Sequence, residues 1–319
     1  VPAAKRNLIR VGISGWTYTP WRGVFYPEGL RQADELSFAS HQFSTIEVNG
    51  SFYSLQQPSS YAAWYRAAPE GFVFSLKGGR YITHIKRLRE VRSALANFYA
   101  SGLFALREKL GPILWQLPPT LRFDAGQLRA FFELLPRNTR EMERLAKDHD
   151  TFLEGRALVD AQHDTELHYA IEVRHPSFLD AKYVDLLREF SLASCVADSA
   201  GRYPVIEDLT GNIAYVRLHG SKQLYESGYG HEELRNWAEW ILAWQSGHDA
   251  AEPRIVGANK HTRLQRKRSV YVYFDNDIKV HAPFDAHELV RQIQSLGGAQ
   301  HLCQGSWHSQ LAGVATSPR

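Results

Sequence analysis

Cysteine is nearly absent from this chain of 319 residues, which holds two, Cys195 and Cys303, and a single methionine. Two thiols cannot form a disulfide framework or a cysteine-based zinc site, so small stapled folds are excluded and a reducing compartment is expected. No apolar run approaches the ~20 residues that span a bilayer. The opening VPAAKRNLIRVG carries no apolar signal segment, so the expectation is a cytoplasmic protein with no membrane partner. Excess charge is lacking too: the net value is +3, which gives no global field for a polyanion. The one basic block, KHTRLQRKR at Lys260–Arg268, reads as a solvated loop before a strand, so nucleic acid is not the expected partner. No G-x-G-x-x-G follows the first strand-like run and no GK[ST] occurs, so neither nucleotide-binding fingerprint is present. A G-x-S-x-G elbow is missing as well, and Cys195 lies inside an apolar run, so nucleophilic Ser or Cys catalysis is not indicated. No cofactor is expected.

What is present is a rhythm. Short β-branched and apolar runs alternate with amphipathic stretches, the pattern of βα units and a parallel sheet. Strands are predicted over Leu8–Ser14, Thr45–Asn49, Phe72–Lys77, Ile113–Leu117, His168–Arg174, Ala193–Asp198, Ile213–His219 and Val270–Asp275. Helices are predicted near Gln32–His41, Ser59–Ala67, Gly126–Leu135, Leu179–Phe190, His231–Trp244 and Ala286–Ser295, with a long segment at Leu88–Lys109. The charged stretch Pro136–Leu167 breaks the rhythm and reads as a helical insertion between strands four and five, too small to bury a core alone. Eight such strands imply a single TIM-type (β/α)8 barrel, an α/β fold, over residues 1–300, with 301–319 as an irregular tail. An open doubly wound sheet is the alternative. Trp237, Trp240 and Trp244 follow the stripe of one helix face and are assigned to packing.

Within the strands, residues two apart share a face. Glu47 and Asn49 then oppose Ile46 and Val48, and Glu172 and Arg174 oppose Ile171 and Val173. The same parity groups Lys77 with Val73 and Ser75; Arg217 and His219 with Tyr215; and Asp275 with Tyr271 and Tyr273. Ser14, Gln116 and Asp198 end strands one, four and six. A carboxylate inside a strand is costly to bury unless it is compensated, and polar strand ends converge on one mouth in a barrel.

The stretches GISGWTYTPWRGVFYP, IEVNGSFY, FSLKGGRYITH, LWQLPP, IEVRHPSF, YVRLHG and VYVYFDND resemble the YecE-like family, domain of unknown function 72, from about Val11 to Leu289. Gly50-Ser51 stands where a Thr is common, and Asp275-Asn276-Asp277 where many members carry two consecutive Asn. The resemblance implies a TIM-type barrel and carries no assigned reaction.

The residues themselves point to acid–base chemistry. Glu47, Glu172, Asp198 and His219 are the candidate catalytic groups, with Glu172 kept ionised by Arg174 and Glu47, beside neutral Asn49, as proton donor. Ser14, Trp16, Asn49, Tyr53, Lys77, His84, Gln116, Arg174, His175, Arg217, Tyr273 and Asn276 are the candidate substrate contacts. So cationic a mouth suits a small polar or anionic ligand, and Trp16 and Tyr53 suit stacking on a sugar. The expected class is a hydrolase or lyase acting on a sugar-like or phosphorylated compound. A divalent-metal isomerase or hydrolase built on Glu172, Asp198, His219 and Asp275 is the runner-up, though the neighbouring arginines argue against a dication and no metal is expected. A non-catalytic nucleotide or nucleic-acid binder is the third reading.

Overall fold

The structure is a computed structural model that describes residues 8–250, 253–257 and 267–298. Its eight strands are β1 (Ile9–Ser14), β2 (Thr45–Val48), β3 (Val73–Lys77), β4 (Leu110–Gln116), β5 (Tyr169–Glu172), β6 (Ala193–Asp198), β7 (Ile213–Leu218) and β8 (Ser269–Phe274). All pair in parallel and in sequence order, and β8 returns to β1 to close the ring. The chain is therefore a closed (β/α)8-type barrel, and the open sheet is ruled out. Closure leaves no unpaired edge and sends every strand's C-terminal end to one mouth.

Strands β3 to β8 carry apolar residues on both faces, for two reasons. Outward residues such as Ile13, Ile46, Phe74, Val196, Val216 and Val272 join the large core beneath the helices. Inward residues form a second, smaller cluster inside the barrel, where Val73, Leu114, Ala170, Cys195 and Ile213 meet Tyr215 and Tyr273. The two tyrosine rings lie 5.1 Å apart. Their hydroxyls are satisfied by short side chains, Tyr215 on Ser75 and Tyr273 on Thr45, at 2.7 and 2.8 Å. An apolar plug thus ends in a polar belt below the mouth.

The helices obey the expected spacing with shifted ends. The long segment after β3 divides into a single π turn at Tyr81–Ile85, an α-helix at Arg92–Ala100 and a 3-10 stretch at Leu103–Lys109. Gly102, at φ 127°, turns the chain between the last two. The stretch 136–167 forms a helix at Thr139–Ala146, capped by the Asn138 side chain on the Glu141 amide. Its Met142, Leu145 and Ala146 are buried, and the helix packs on Arg92–Ala100, so the insertion borrows the barrel's core. In the helix His231–Ser246, Trp237 and Trp244 are buried and Trp240 packs at their margin. No described helix is long and apolar enough to cross a membrane. Most of the basic block, and the tail at 301–319, lie outside the described residues.

β1 and β2 approach so closely that Gly12 has no room for a side chain. A Cβ built there would sit 1.8 Å from the Thr45 carbonyl oxygen, a backbone atom with nowhere to go. Gly12→Ala is therefore expected to cost about 3 kcal/mol, the upper end of overpacking penalties, through forced separation of the two strands. Urea denaturation midpoints check this, and an unchanged midpoint would show that the strands yield freely.

Candidate functional site

The inward residues at the C-terminal ends of the strands converge on one side chain. Arg217, on β7, is fully buried and its two Nη atoms reach five side chains, three carboxylates with His219 and Ser14. Nη2 donates to Glu47 Oε1 on β2 and to Asp275 Oδ2 just past β8, each at 2.8 Å. Nη1 donates to Glu172 Oε2 on β5 at 2.7 Å and faces His219 Nε2 at 3.4 Å. A planar fork of donors is what lets one cation reach carboxylates on three different strands.

Each partner is held a second time. Glu47 also accepts from Ser14 Oγ at 2.5 Å and from Tyr215 Oη at 2.6 Å. Glu172 accepts from Arg174 Nε at 2.7 Å, and Arg174 extends to Gln116 Oε1 and Tyr225 Oη. Burial alone would push the Glu172 carboxyl up, but the guanidiniums of Arg174 and Arg217 outweigh it and hold the group well below the usual carboxylate range. Asp275 is likewise driven up by burial and brought below its ordinary value by Arg217 and His219. His219 Nδ1 lies 3.0 Å from Asp275 Oδ2. Burial first, and Arg217 second, lower the imidazole's pKa. A neutral ring with Nδ1–H toward Asp275 and Nε2 toward Arg217 satisfies both neighbours, a tautomer assigned from these partners.

Above this layer opens a cavity of about 600 Å³. Lys77, Asn49, Asp275, Asp277, Tyr18 and Tyr225 give it polar groups, and Trp16, Tyr53 and Trp64 give it an aromatic wall. The backbone turn at Gly15, φ +82°, brings Trp16 and Tyr18 over the opening. Trp16 is braced edge-on against Trp64 at 5.4 Å, whereas Tyr53 is 75% exposed and meets Phe52 edge-on at 5.1 Å. The Lys77 ammonium, 8% exposed, has no hydrogen bond and no carboxylate within 4 Å among the described residues. It lies 4.6 Å from the centre of the Phe52 ring. Burial, and then the like charge of Arg217, lower its pKa to about 8. Asp277 moves the other way, to about 6, through burial and the neighbouring Asp275. The Asn49 Oδ1 atom is buried without a partner while its amide nitrogen donates to Ser14.

The sequence-predicted residues thus fall into three groups. Ser14, Glu47, Gln116, Glu172, Arg174, Arg217 and His219 share the buried network, and Trp16, Asn49, Tyr53 and Lys77 line the cavity. His84 stands beside them, its ring 5.1 Å from Phe52, and burial with Arg174 lowers its pKa to about 4. The remaining four lie elsewhere. Asp198 points outward, because Ala193, Cys195 and Ala197 take the inward face of β6; it accepts from Tyr229 Oη, away from the mouth. Tyr273 points inward but one layer down, in the polar belt. His175 caps the turn Pro176–Phe178 through the Ser177 amide. Asn276 is fully buried and ties the Ser227 carbonyl to Asp285.

Two further expectations are corrected. Glu47 does not sit in a neutral setting, since Arg217 donates to it as directly as to Glu172. The four residues of the metal reading are not brought together: Asp198 faces outward, and no group of three or more His, Cys, Asp or Glu side chains converges as a ligand set among the described residues. Sequence reasoning also passed over Asp277 and Tyr225, which stand in loops where strand parity says nothing.

The family profile described as "Protein of unknown function DUF72" matches residues 10–306. The UPF0759 protein YecE of Escherichia coli K12 is 25% identical over 272 residues, covering 78% of this chain and 85% of that one. A DUF72 family crystal structure from Thermotoga maritima superposes with a TM-score of 0.65 at 22% identity, over 90% of this chain and 99% of that one. A second, from Enterococcus faecalis, gives 0.63 at 16% identity, over 90% and 96%. These two likenesses support the barrel.

Proposed function

The chain belongs to the DUF72 family of proteins of unknown function, and from that premise we propose that it is an enzyme of the hydrolase or lyase type. It acts by acid–base chemistry on a small polar substrate, sugar-like and carrying an anionic group, and works in the cytoplasm, where the buried thiol of Cys195 stays reduced. The observation that carries this reading is the Lys77 ammonium, buried at a cavity with no carboxylate within 4 Å among the described residues. A cation kept dry and unpaired is costly, and a ligand oxyanion or carbonyl oxygen would supply the missing acceptor. The aromatic wall suits a sugar ring and the unpartnered Asn49 oxygen suits a hydroxyl.

The network beneath is the scaffold of this arrangement rather than its reactive part. Glu47 and Glu172 each accept from Arg217 and from further donors, so neither has a free proton to give. Proton traffic falls instead to the two cavity groups whose pKa values flank neutrality, Asp277 at about 6 and Lys77 at about 8. At pH 7 the carboxylate is mostly ionised, a base, and the ammonium mostly protonated, an acid. Turnover is expected to follow a bell between these limbs, and Asp277→Asn is expected to remove the acidic limb with a loss of roughly a hundredfold. An acidic limb that persists in that variant would assign the base elsewhere.

Binding can be tested before a substrate is known. Ribose 5-phosphate, glucose 6-phosphate and inorganic phosphate, titrated against the full chain, are expected to raise the melting temperature. At a hundred times Kd the stabilisation is about 2.7 kcal/mol. No shift with any of these, or equal shifts in Lys77→Met, would sink the proposal.

A further inference from the structure

We propose that Lys77 is a covalent catalyst, condensing with an aldehyde or ketone substrate to form an imine. The inference rests on the reading of the mouth as a binding site and narrows its substrates to carbonyl compounds. A lysine that serves only as a point charge for an anion is best kept protonated by a nearby carboxylate. None lies within 4 Å of Lys77 among the described residues: Glu47, Glu172 and Asp275 each give one oxygen to Arg217 and are held again by Tyr215, Arg174 and His219, so they favour the ammonium only from a distance. What faces Nζ instead is the Phe52 ring, the positive field of Arg217 and the cavity. His84, on the segment after β3, adds no counter-charge, since its own pKa is lowered to about 4 and its ring is neutral near pH 7. Burial and like charge both favour the neutral amine, whose lone pair is the nucleophile.

The chemistry balances with groups on the page. The Nζ lone pair attacks the carbonyl carbon while the π pair moves to oxygen; the nitrogen then sheds one proton as the oxygen takes one, which gives a neutral carbinolamine with a lone pair restored on nitrogen. A second proton, delivered by Asp277 in its acid form, lets the hydroxyl leave as water, and the nitrogen lone pair completes a protonated C=N bond. That cation draws electrons from the adjacent carbon, so the α-proton passes to the Asp277 carboxylate and an enamine forms. Reversal with one water returns the product carbonyl and the free amine.

Reductive trapping tests this directly. The full chain is incubated with glycolaldehyde, glyceraldehyde or pyruvate and cyanoborohydride between pH 6 and 9, and labelled lysines are located by peptide mass spectrometry. Lys77 is expected to label at least tenfold faster than the exposed Lys182, with a rate that climbs through pH 8. Lys77→Arg should abolish that adduct and leave Lys182 unchanged. Lys77 labelling no faster than Lys182 with all three carbonyls overturns the proposal, whether or not the arginine variant folds. Because phosphate and sugar-phosphate binding is read separately, a barrel that binds them but forms no adduct loses the imine and keeps the acid–base reading.

Discussion

Arg217→Met is expected to destabilise the protein by at least about 3–5 kcal/mol at pH 7, the cost of breaking a buried ion pair from one side. Here the loss is compounded, because Glu47 and Asp275 lose their shared cation and only Glu172 keeps another, Arg174. The pH dependence carries the sign of the mechanism. In the native protein Glu172 and Asp275 have depressed pKa values. Their contribution is fully present above the unfolded carboxylate range near pH 4 and is lost as pH falls through the lower folded values. Without Arg217 the Asp275 carboxyl is left to burial and rises, so acid neutralises the variant's unpaired charge. The gap between wild type and variant should therefore narrow from pH 7 toward pH 4. Urea denaturation at both values measures it, and a gap independent of pH would mean the guanidinium acts by packing alone. Adding Glu47→Gln to Arg217→Met should recover part of the loss, since it removes one of the stranded charges.

Lys77→Met is expected to do the opposite to stability while abolishing function. The folded pKa of Lys77, about 8, lies below that of an unfolded lysine. The charged form therefore penalises the fold fully below pH 8, and the penalty fades as pH rises toward about 10.5. Methionine fills similar space without the charge, so the variant should gain up to roughly 3 kcal/mol at pH 7, shrinking to little near pH 10. Sugar-phosphate binding should fall about a hundredfold or more, the loss of a charge-assisted contact in a dry site. A variant less stable than wild type at pH 7 would show that the ammonium was needed to balance the three carboxylates, and the free-amine account of Lys77 would fail.

The strand faces were legible because period-two alternation is visible wherever one face is polar. Glu47, Glu172, Lys77 and Arg217 each sit two residues from another inward side chain, and all four point inward as expected. Asp198 was misplaced because β6 breaks the rule the other strands suggest: its polar residues, Ser194 and Asp198, share the outward face, and the inward face is the apolar one of Ala193, Cys195 and Ala197. The different settings expected for the two glutamates failed for another reason. Strand parity reports neighbours along a chain, whereas Arg217 reaches Glu47 across 170 residues and the width of the barrel. Asp277 was missed because the loop after β8 has no periodicity, and its raised pKa comes first from burial and then from Asp275, neither of which a sequence displays.

That separation has a consequence for the order in which the protein is made. Glu47 and Glu172 leave the ribosome before Arg217, which is 45 residues behind the second of them, and Asp275 follows 58 residues later still. A nascent chain that ends between Arg174 and β7 holds two carboxylates destined for burial, of which Glu172 has Arg174 and Glu47 still lacks the guanidinium that makes its burial tolerable. Its strands can pair, but the mouth beside Glu47 stays wet, because that carboxylate has no cation to replace its water. Arrival of one guanidinium then dries the floor, joins β2, β5 and β7, and leaves the place that Asp275 fills when β8 closes the ring. The side chain that organises the cavity is also the latch that keeps half-made barrels from setting early.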